Sequence, residues 1–341
     1  MGLLDWVFGF ISKDLAIDLG TANTLIHIRG EGIVLDEPSM VALESANGDI
    51  LAVGAKAKIL YGKTPDSIRV VRPMKDGVIA DFDVTQMMIQ YFIRQVHQRK
   101  GARPKVMVAV PSGITPVEKR AVIEAAYESG ARQINLIEEP MAAAIGAKID
   151  VASTMGSMIV DIGGGTTEVA VISRSAIAYS ESIRVAGDEM DEAIVRYLRH
   201  RYNLEVGIFE AERVKIAAGS ASPLKQRLHV DVRGRDVVRG IPKQITLTDE
   251  ILREALEDPV NAIVGAITKA LDNISPEFTT EIMERGIVLA GGGAMLRGLG
   301  SRLHRETNLH IYRAREPLRA VVRGTGMVME NSGKYRQVCL N

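Results

Sequence analysis

Cysteine is almost absent from this chain of 341 residues, which contains only Cys339. One cysteine can form neither a disulfide framework within the chain nor a zinc site built from thiolates. The six histidines show no spacing typical of a metal site. The sequence therefore predicts a fold held by noncovalent packing in a reducing cytoplasm.

An excess of charge of one sign is also missing, because 42 Lys and Arg balance 42 Asp and Glu. Nucleic-acid-binding proteins usually carry a clearly basic face, so no nucleic acid is expected as a partner. No apolar run approaches the roughly 18 residues of a membrane-spanning helix. The N-terminus lacks the basic region and cleavage site of a signal peptide and the Ser or Thr of a myristoylation signal. The hydrophobic share of 46% suits a globular protein with two domain-sized cores.

Aromatic residues make up only 4% of the chain, yet Trp6, Phe8 and Phe10 cluster near its start. As a helix, residues 2–12 carry one narrow polar stripe, which suits a segment lying in a bilayer interface. The alternative is that this segment folds back onto its own domain or onto a neighbouring subunit. The basic loop after Gln98 lacks bulky apolar residues, so it offers no second anchor. We predict an amphipathic membrane segment over residues 1–13, with these membrane-facing side chains: Leu3, Leu4, Trp6, Val7, Phe8, Phe10 and Ile11.

Short apolar runs alternate with helical patterns along the chain, which is typical of an α/β fold. Thr115, Pro116 and Gly130 are typical of a helix N-cap, first residue and end. Strand patterns lie at Leu15–Leu19, Thr24–Ile28, Val106–Val110, Ile134–Ile137, Met158–Asp161, Glu168–Ile172 and Ile287–Ala290. Helical patterns lie at Val84–Gln98, Pro116–Ser129, Pro140–Ala147, Asp188–Tyr202, Phe209–Ala218, Thr248–Asn273 and Met295–Thr307.

An internal repeat indicates how the chain is organised. Ile17–Thr24, with the sequence IDLGTANT, matches Val160–Thr167, with the sequence VDIGGGTT. Each copy ends one strand, turns tightly and begins another, and the copies lie a domain length apart. We predict two similar α/β domains that share a cleft: residues 14–153 with 323–341, and residues 154–322. Small subdomains are expected as insertions at about 42–74 and 191–253, and within the second Ser220–Pro242 predicts a hairpin that turns at Gly234.

Each copy of the repeat joins a carboxylate to a turn rich in glycine and threonine. Glycines let backbone N–H groups approach phosphate oxygens, and the hydroxyls of Thr21, Thr166 and Thr167 add donors. Asp18 and Asp161 end their strands toward the predicted cleft, where two carboxylates beside phosphates need a hard cation. Mg²⁺ held largely through water meets that need. One such turn alone could be an ordinary hairpin, whereas the matched pair predicts a phosphate clamp.

Two further features add to this pattern without deciding it. Val288–Met295 is a strand that ends in three glycines, and such a turn can pack its backbone flat against a nucleoside or phosphate. It lacks the Gly-Lys-[Ser/Thr] of a Walker A loop. Glu138 and Glu139 are open to two interpretations: first-turn acids favoured by the helix dipole, or a carboxylate that orients an attacking water.

The order Asp-Leu-Gly-Thr, Glu-Glu-Pro, Asp-Ile-Gly-Gly-Gly-Thr and Ala-Gly-Gly-Gly resembles the superfamily of actin, sugar kinases and seventy-kilodalton heat-shock chaperones. Within it the chain resembles the MreB family of bacterial actins, from about Asp14 to Gly326. The resemblance implies an actin-like, ribonuclease H-like α/β fold with duplicated domains around a central nucleotide cleft. The segments that carry it are Ile17–Leu25, Arg72–Ala80, Leu136–Ala147, Val160–Ser173 and Leu289–Leu296.

The resemblance also implies a role for each matching residue. ATP and Mg²⁺ are the implied cofactors, with Asp18 and Asp161 near the metal ion. Glu139 would polarise the attacking water, Thr167 would help to orient it, and Glu138 is expected to be structural. The implied ATP-binding residues are Thr21, Ala22 and Asn23; Gly163, Gly164, Gly165 and Thr166; Glu212 and Lys215 at the ribose and adenine; and Gly291, Gly292, Gly293, Ala294 and Met295 on the adenine side.

The function implied is an ATP-dependent filament bound peripherally to the inner face of the cell membrane. There it would organise cell-wall synthesis and set rod shape, with slow ATP hydrolysis as a switch. The implied partners are further copies of the chain, membrane lipid and cell-wall elongation proteins, including a RodZ-like adaptor. A monomeric ATPase of the chaperone type is expected to need a long region after the nucleotidase, and the chain ends soon after Gly293. A small-molecule kinase is the other alternative, although no sugar-recognition motif is evident.

Overall fold

The computed structural model describes residues 13–97 and 103–340. The predicted membrane segment therefore lies outside the described residues except for Lys13, and so does the loop over 98–102. The chain divides into two compact units. The first comprises Met1–Thr154, Ile172–Ala178 and Leu318–Asn341, and the second comprises Met155–Val171 and Tyr179–Pro317.

The described residues alternate strands and helices as the sequence pattern indicates. The strands are β1 Leu15–Leu19, β2 Asn23–Ile28, β3 Gly32–Pro38, β4 Val41–Glu44, β5 Ile50–Val53, β6 Ile68–Val71, β7 Met74–Lys75, β8 Val78–Ile79, β9 Lys105–Val110, β10 Gln133–Glu138, β11 Ser157–Ile162, β12 Thr167–Ser173, β13 Ala176–Ile183, β14 Leu204–Glu205, β15 His229–Asp236, β16 Pro242–Thr248, β17 Ile287–Ala290, β18 Ile311–Arg313 and β19 Cys339–Leu340. The helices are α1 Ala55–Leu60, α2 Phe82–Val96, α3 Pro116–Glu128, α4 Glu139–Gly146, α5 Gly187–Tyr202, α6 Ile208–Ala218, α7 Asp249–Ala255, α8 Glu257–Asn273, α9 Pro276–Arg285, α10 Leu299–Thr307 and α11 Ala320–Glu330.

The first unit is built on a six-stranded sheet in the order β19-β10-β9-β1-β2-β3. Strands β1, β9 and β10 run parallel, because α2 and α3 lie in the connections between them along the chain. Their apolar runs are almost fully buried, as expected for a parallel sheet. Parallel strands end at the same edge, so Asp18 of β1 and Glu138 of β10 lie at one edge of the sheet. Ligands of open α/β sheets bind at such an edge.

The second unit repeats this plan in a five-stranded sheet, β13-β12-β11-β17-β18. Strands β11, β17 and β18 run parallel, and Asp161 is paired with Ala290 in register. The end of β11 and the glycine turn that follows β17 therefore lie side by side. The core behind this sheet includes Met158, Val160 and Val171, which are fully buried.

Each unit also contains a small three-stranded sheet. In the first unit β4 pairs with β5 and β6, and α1 follows β5. In the second unit β15 pairs with β14 and β16. These sheets fall within the insertions that the sequence predicted at about 42–74 and 191–253.

Helices α4 and α11 of the first unit cross at unusually close range. A Cβ placed on Gly146 would lie 1.8 Å from the carbonyl oxygen of Ala320, and one on Gly324 would lie 1.8 Å from that of Ala142. Only glycine at both positions allows backbone to meet backbone in this way. This crossing fixes α4, whose first residue is Glu139.

The structure confirms the capped helix that the sequence predicted after β9. Thr115 and Glu118 form a reciprocal capping box around Pro116. Ser129 is the C-cap, and Gly130 follows it with a φ of 105°. Thr115 Oγ1 also donates to Glu118 Oε2 at 2.7 Å, so the start of α3 is held rigidly.

Several predicted boundaries were wrong, each for a local reason. The single helix predicted over Thr248–Asn273 is two helices, since Leu256 leaves the helical conformation between them. Met295–Thr307 is not one helix, because a 3₁₀ turn over Gly293–Met295 precedes α10. Gly234 is not a turn residue: it lies within β15, opposite Lys243.

The hairpin of β15 and β16 turns instead near Gly240, which has a φ of 73°. Gly234 is required for a different reason. A Cβ there would lie 2.3 Å from the carbonyl oxygen of Glu205 on β14. It is therefore a close-approach glycine in a strand.

Candidate functional site

The first turn of the repeat is fixed on both sides by neighbouring strands. Thr21 is buried, and its hydroxyl accepts a hydrogen bond from the N–H of Gly77 at 3.0 Å. Ser39 donates through Oγ to the carbonyl oxygen of Gly20 at 2.7 Å and through its N–H to that of Ala22 at 2.9 Å. Asn23 is exposed beside Ala22. The turn is thus a preformed support that presents Ala22 and Asn23 to solvent.

Asp18 is the penultimate residue of β1, one residue before this turn begins. Burial raises the pKa of its carboxyl group to about 7, and the negative charge of Asp36 adds to the effect. The side-chain amide of Asn23 donates to Asp36 Oδ1 at 3.0 Å, so the Asp36 carboxylate lies beside the turn. Ionisation of Asp18 is costly because its carboxylate is buried next to another negative charge. A cation bound nearby would offset that cost.

The donor set at this position suits Mg²⁺ held mostly by water and phosphate. Among the described residues, no group of three or more His, Cys, Asp or Glu side chains could hold a metal ion. Magnesium sites in nucleotide-binding proteins typically use one or two carboxylates and keep several waters. Asp18 fits that requirement with a hard oxygen ligand.

Glu139 begins helix α4 at the same sheet edge as Asp18. It borders a small cavity of roughly 10 Å³, which is about the room that one water needs. The walls are mostly apolar, and Glu118 and Glu139 are the carboxylates among them. A carboxylate beside a water-sized space can orient a water molecule, which supports the catalytic interpretation. Its first-turn position is equally compatible with a helix-dipole role.

The second turn of the repeat is anchored through its carbonyl oxygens. The N–H of Gly163 donates to the carbonyl oxygen of Thr166 at 2.8 Å and closes the hairpin. The N–H groups of Gly187 and Asp188, at the start of α5, donate to the carbonyl oxygens of Gly163 and Gly164 at 3.2 and 2.8 Å. Gly165, which follows Gly164, is buried. The beginning of α5 therefore sets the shape of this turn.

Thr167 is completely buried, and its hydroxyl donates to the carbonyl oxygen of Val185 at 2.7 Å. A hydroxyl has one proton but can still accept hydrogen bonds. In this arrangement Thr167 can orient a water only by accepting from it.

The three-glycine turn after β17 packs against the carboxylate of the second turn. Gly291 has a φ of 76°, and a Cβ there would lie 2.5 Å from Asp161 Oδ1 and 2.2 Å from the carbonyl oxygen of Ile162. Gly293 leaves equally little room beside Ile162. Two of the glycines are therefore explained by close packing, Gly291 on Asp161 and Ile162 and Gly293 on Ile162. Of the remaining predicted residues here, Gly292 is half-buried, Ala294 is buried and Met295 is 50% exposed.

Glu212 and Lys215 both lie on α6, where Glu212 is half-buried. The Lys215 ammonium donates to the carbonyl oxygen of Gly187 at 2.7 Å and pairs with Asp191 Oδ1 at 2.8 Å. Sequence reasoning missed Asp191. The available signal was an acid within the apolar stripe of α5, directly after the buried Met190.

A model of the MreB/Mbl protein family matches residues 12–337. The chain belongs to the MreB/Mbl family. It is 50% identical over 328 residues to the cell shape-determining protein MreB of Escherichia coli (strain K12), with 94% of each chain covered. It is 43% identical over 325 residues to the cell shape-determining protein Mbl of Bacillus subtilis (strain 168), covering 95% of this chain and 97% of Mbl.

Solved structures of this family share the fold. The crystal structure of MreB 5 of Spiroplasma citri bound to AMPPNP superposes with a TM-score of 0.91 at 35% identity, covering 96% of this chain and 98% of that one. A crystal structure of the same MreB5 bound to ADP gives a TM-score of 0.90. The MamK double helical filament, at 19% identity and a TM-score of 0.79, shows the likeness of fold alone. The MreB/Mbl chain described here thus has the actin-like fold that its motifs predicted. Among its described residues, no helix has both the length and the apolarity to cross a membrane.

Proposed function

We propose that this MreB/Mbl chain binds ATP with Mg²⁺ and assembles into actin-like filaments on the inner face of the cell membrane. There the filaments would organise cell-wall synthesis and so set rod shape. The observation that carries the proposal is the pair of anchored Gly/Thr turns, each following a strand whose penultimate residue is an aspartate. The shape-determining relatives and the AMPPNP-bound and ADP-bound MreB5 structures support it.

In slow ATP hydrolysis, separate residues would bind the phosphates, hold the metal ion and orient the attacking water. The turns of Thr21–Asn23 and Gly163–Thr166 hold the phosphates, while Asp18 and Asp161 hold Mg²⁺ largely through water. When bound, the metal ion neutralises charge on the phosphate oxygens. Glu139 orients the attacking water, and Thr167 accepts a hydrogen bond from the same water.

Two substitutions test the ATPase part. Glu139→Gln keeps the shape of the side chain and its place on α4 but removes the charge that orients water. We expect the hydrolysis rate to fall at least about tenfold, because positioning and general-base effects contribute about 10²–10⁴-fold. Binding of AMPPNP with Mg²⁺ should change little. Glu138→Gln is the matched control, and an equal loss of rate there would assign both acids to helix stabilisation instead.

Co-sedimentation with liposomes tests the filament and the membrane attachment together. The full chain is compared with one that starts at Lys13, with and without ATP and Mg²⁺, and pellets are inspected by electron microscopy. We expect lipid-bound filaments from the full chain and soluble protein from the shorter one. Binding and hydrolysis of ATP without assembly would support a monomeric actin-fold ATPase, and ATP-dependent phosphorylation of a metabolite would support a kinase.

The proposed attachment is to the inner face of the membrane, which would make the chain a peripheral protein on the cytoplasmic side. Its proposed partners are further copies of itself, membrane lipid and cell-wall elongation proteins that include a RodZ-like adaptor. Pull-down of such an adaptor by the assembled full chain, with ATP-free protein as the comparison, tests this part. Equal recovery in both states would separate adaptor binding from the nucleotide cycle.

A further inference from the structure

A buried ion pair lies behind the second phosphate turn. Asp191 on α5 and Lys215 on α6 approach to 2.8 Å, and their side chains are only 6% and 15% exposed. Taking two charges out of water is costly, so such a pair is weak evidence for stability. Its geometry points instead to a requirement for a fixed arrangement of the two helices.

Lys215 extends this pair to the phosphate turn. Its ammonium also donates to the carbonyl oxygen of Gly187 at 2.7 Å. The N–H of Gly187 in turn donates to the carbonyl oxygen of Gly163 at 3.2 Å, and the N–H of Asp188 donates to that of Gly164 at 2.8 Å. A relay of contacts therefore runs from Asp191 through Lys215 and Gly187 to the turn.

There is little space around Gly187 for a larger residue. A Cβ there would lie 3.3 Å from the carbonyl oxygen of Gly163 and 3.6 Å from Lys215 Nζ. A shift of Lys215 would therefore act on the turn through Gly187, which is hydrogen-bonded to both. An ammonium group has three N–H donors, so a third can serve a hydroxyl of a bound nucleoside.

We propose that Asp191 is a positioning residue: it holds Lys215 so that binding of a nucleoside at α6 is coupled to the shape of the phosphate turn at Gly163–Gly165. The inference rests on the proposed nucleotide binding and specifies how that site is coupled internally. The ligand class is a purine nucleoside triphosphate or diphosphate. Neither inorganic tripolyphosphate nor adenosine alone would gain from the coupling.

The charges that face Asp191 give the relay a pH dependence. Burial raises its pKa to about 6, the neighbouring Lys215 lowers it, and Glu212 on α6 and Asp188 on α5 raise it. Protonation of the carboxylate below that value removes the charge that holds Lys215. Nucleotide affinity should accordingly fall as the pH drops from 7.5 to 5.5.

The test uses the full chain and AMPPNP with Mg²⁺, measured by competition with a fluorescent ADP analogue. Asp191→Asn should weaken AMPPNP about tenfold at pH 7.5, within the range of typical coupling between sites. Affinity for tripolyphosphate should change less than twofold. The decline of AMPPNP affinity between pH 7.5 and 5.5 should be smaller in the variant, whereas titration of the ligand itself is common to both chains.

Asp249→Asn is the matched control. Asp249 is buried to a similar degree and pairs with Arg253 at 3.4 Å, but at the start of α7 and outside the relay. It should keep the affinity and the pH profile of the unmodified chain. Gly187→Ala is a second variant for the case in which Asp191→Asn fails to fold, since it keeps every charge and presses on Gly163. It should weaken AMPPNP at least threefold and affect tripolyphosphate less.

The outcomes separate the two proposals. Failure of the unmodified chain to bind AMPPNP overturns both the proposed function and the relay. Normal binding by the unmodified chain, with Asp191→Asn or Gly187→Ala matching its affinity and pH profile, overturns the relay alone. Equal weakening of AMPPNP and tripolyphosphate by either variant also overturns it, since that would be general damage to the phosphate turn.

Discussion

The glycine crossing of α4 and α11 offers the sharpest test of how the first unit supports Glu139. In Gly324→Ala, the new methyl group would lie 1.8 Å from the carbonyl oxygen of Ala142 and 2.8 Å from the N–H nitrogen of Gly146. Ordinary van der Waals contact begins near 3.4 Å. The helices must therefore separate by about 1.5 Å, because both neighbours are backbone atoms and no side chain can rotate away.

The expected cost follows from this geometry. Overpacking in a tight core costs about 1–3 kcal/mol, and the 1.8 Å approach to backbone puts Gly324→Ala at the upper end of that range, while alanine offsets about 1 kcal/mol through helix propensity. We expect a net loss of about 2 kcal/mol, or a melting temperature lower by about 4–8 °C for a unit of this size. A displacement of about 1 Å at Glu139 should also lower the ATP hydrolysis rate by tenfold or more, with AMPPNP affinity changing less.

Gly265→Ala is the matched control, because it makes the same substitution at an exposed position in the interior of α8. A Cβ at Gly265 meets no atom within 4 Å, so alanine should stabilise the chain by about 0.5–1 kcal/mol through helix propensity. Thermal unfolding followed by circular dichroism, without nucleotide, compares the two. Opposite signs are expected, and a Gly324→Ala chain as stable as Gly265→Ala would refute the close crossing.

The remaining predictions concern the turns. In nucleotide-free protein with EDTA, Asp18→Asn should be more stable than the unmodified chain by up to about 4 kcal/mol at pH 8, since a shift of one pKa unit corresponds to 1.36 kcal/mol. The raised pKa makes the unmodified chain lose stability as the pH rises from about 4 through 7, so urea unfolding of the two chains should converge near pH 4. With Mg²⁺ and AMPPNP, Asp18→Asn should gain less stability than the unmodified chain, and an equal gain would remove Asp18 from the metal site. Thr167→Ser should retain hydrolysis while Thr167→Val loses about tenfold, and equal rates would show that the hydroxyl orients no water. Gly291→Ala should abolish AMPPNP binding or folding because it forces a methyl group onto Asp161, and normal binding would contradict the packing described.

The sequence was informative where one local signal determines a local structure. The two copies of the repeat and their β-branched runs predicted β1 with β2 and β11 with β12, since period and turn residues act over a few positions. Thr115 and Pro116 correctly predicted the start of α3 for the same reason. Family membership and the actin-like fold were also predicted from motifs and are confirmed by the comparisons.

Tertiary contacts account for what the sequence could not supply. Gly234 looked like a turn residue, but its conformation is set by the approach of β14, which no local pattern records. The ion pair of Asp191 depends on Lys215 of the next helix, a contact that no local pattern records. The pairing of β19 with β10 depends on two residues far along the chain, Cys339 and Leu340, whose partners no periodicity reveals. Each role assigned to a nucleotide-binding residue stays a prediction for the experiments above.

The position of α11 along the chain has a consequence for synthesis on the ribosome. The first unit begins near the N-terminus, yet its core includes Val322 and Val328, which are fully buried, and Gly326 packs against His27 of β2. Domains generally fold as units while they emerge. Here the first unit cannot complete its interior until residues beyond Leu318 have been translated, after the whole second unit. The apolar surface that α11 will cover therefore stays exposed for most of the synthesis of the chain. During that period it is a binding surface for a chaperone.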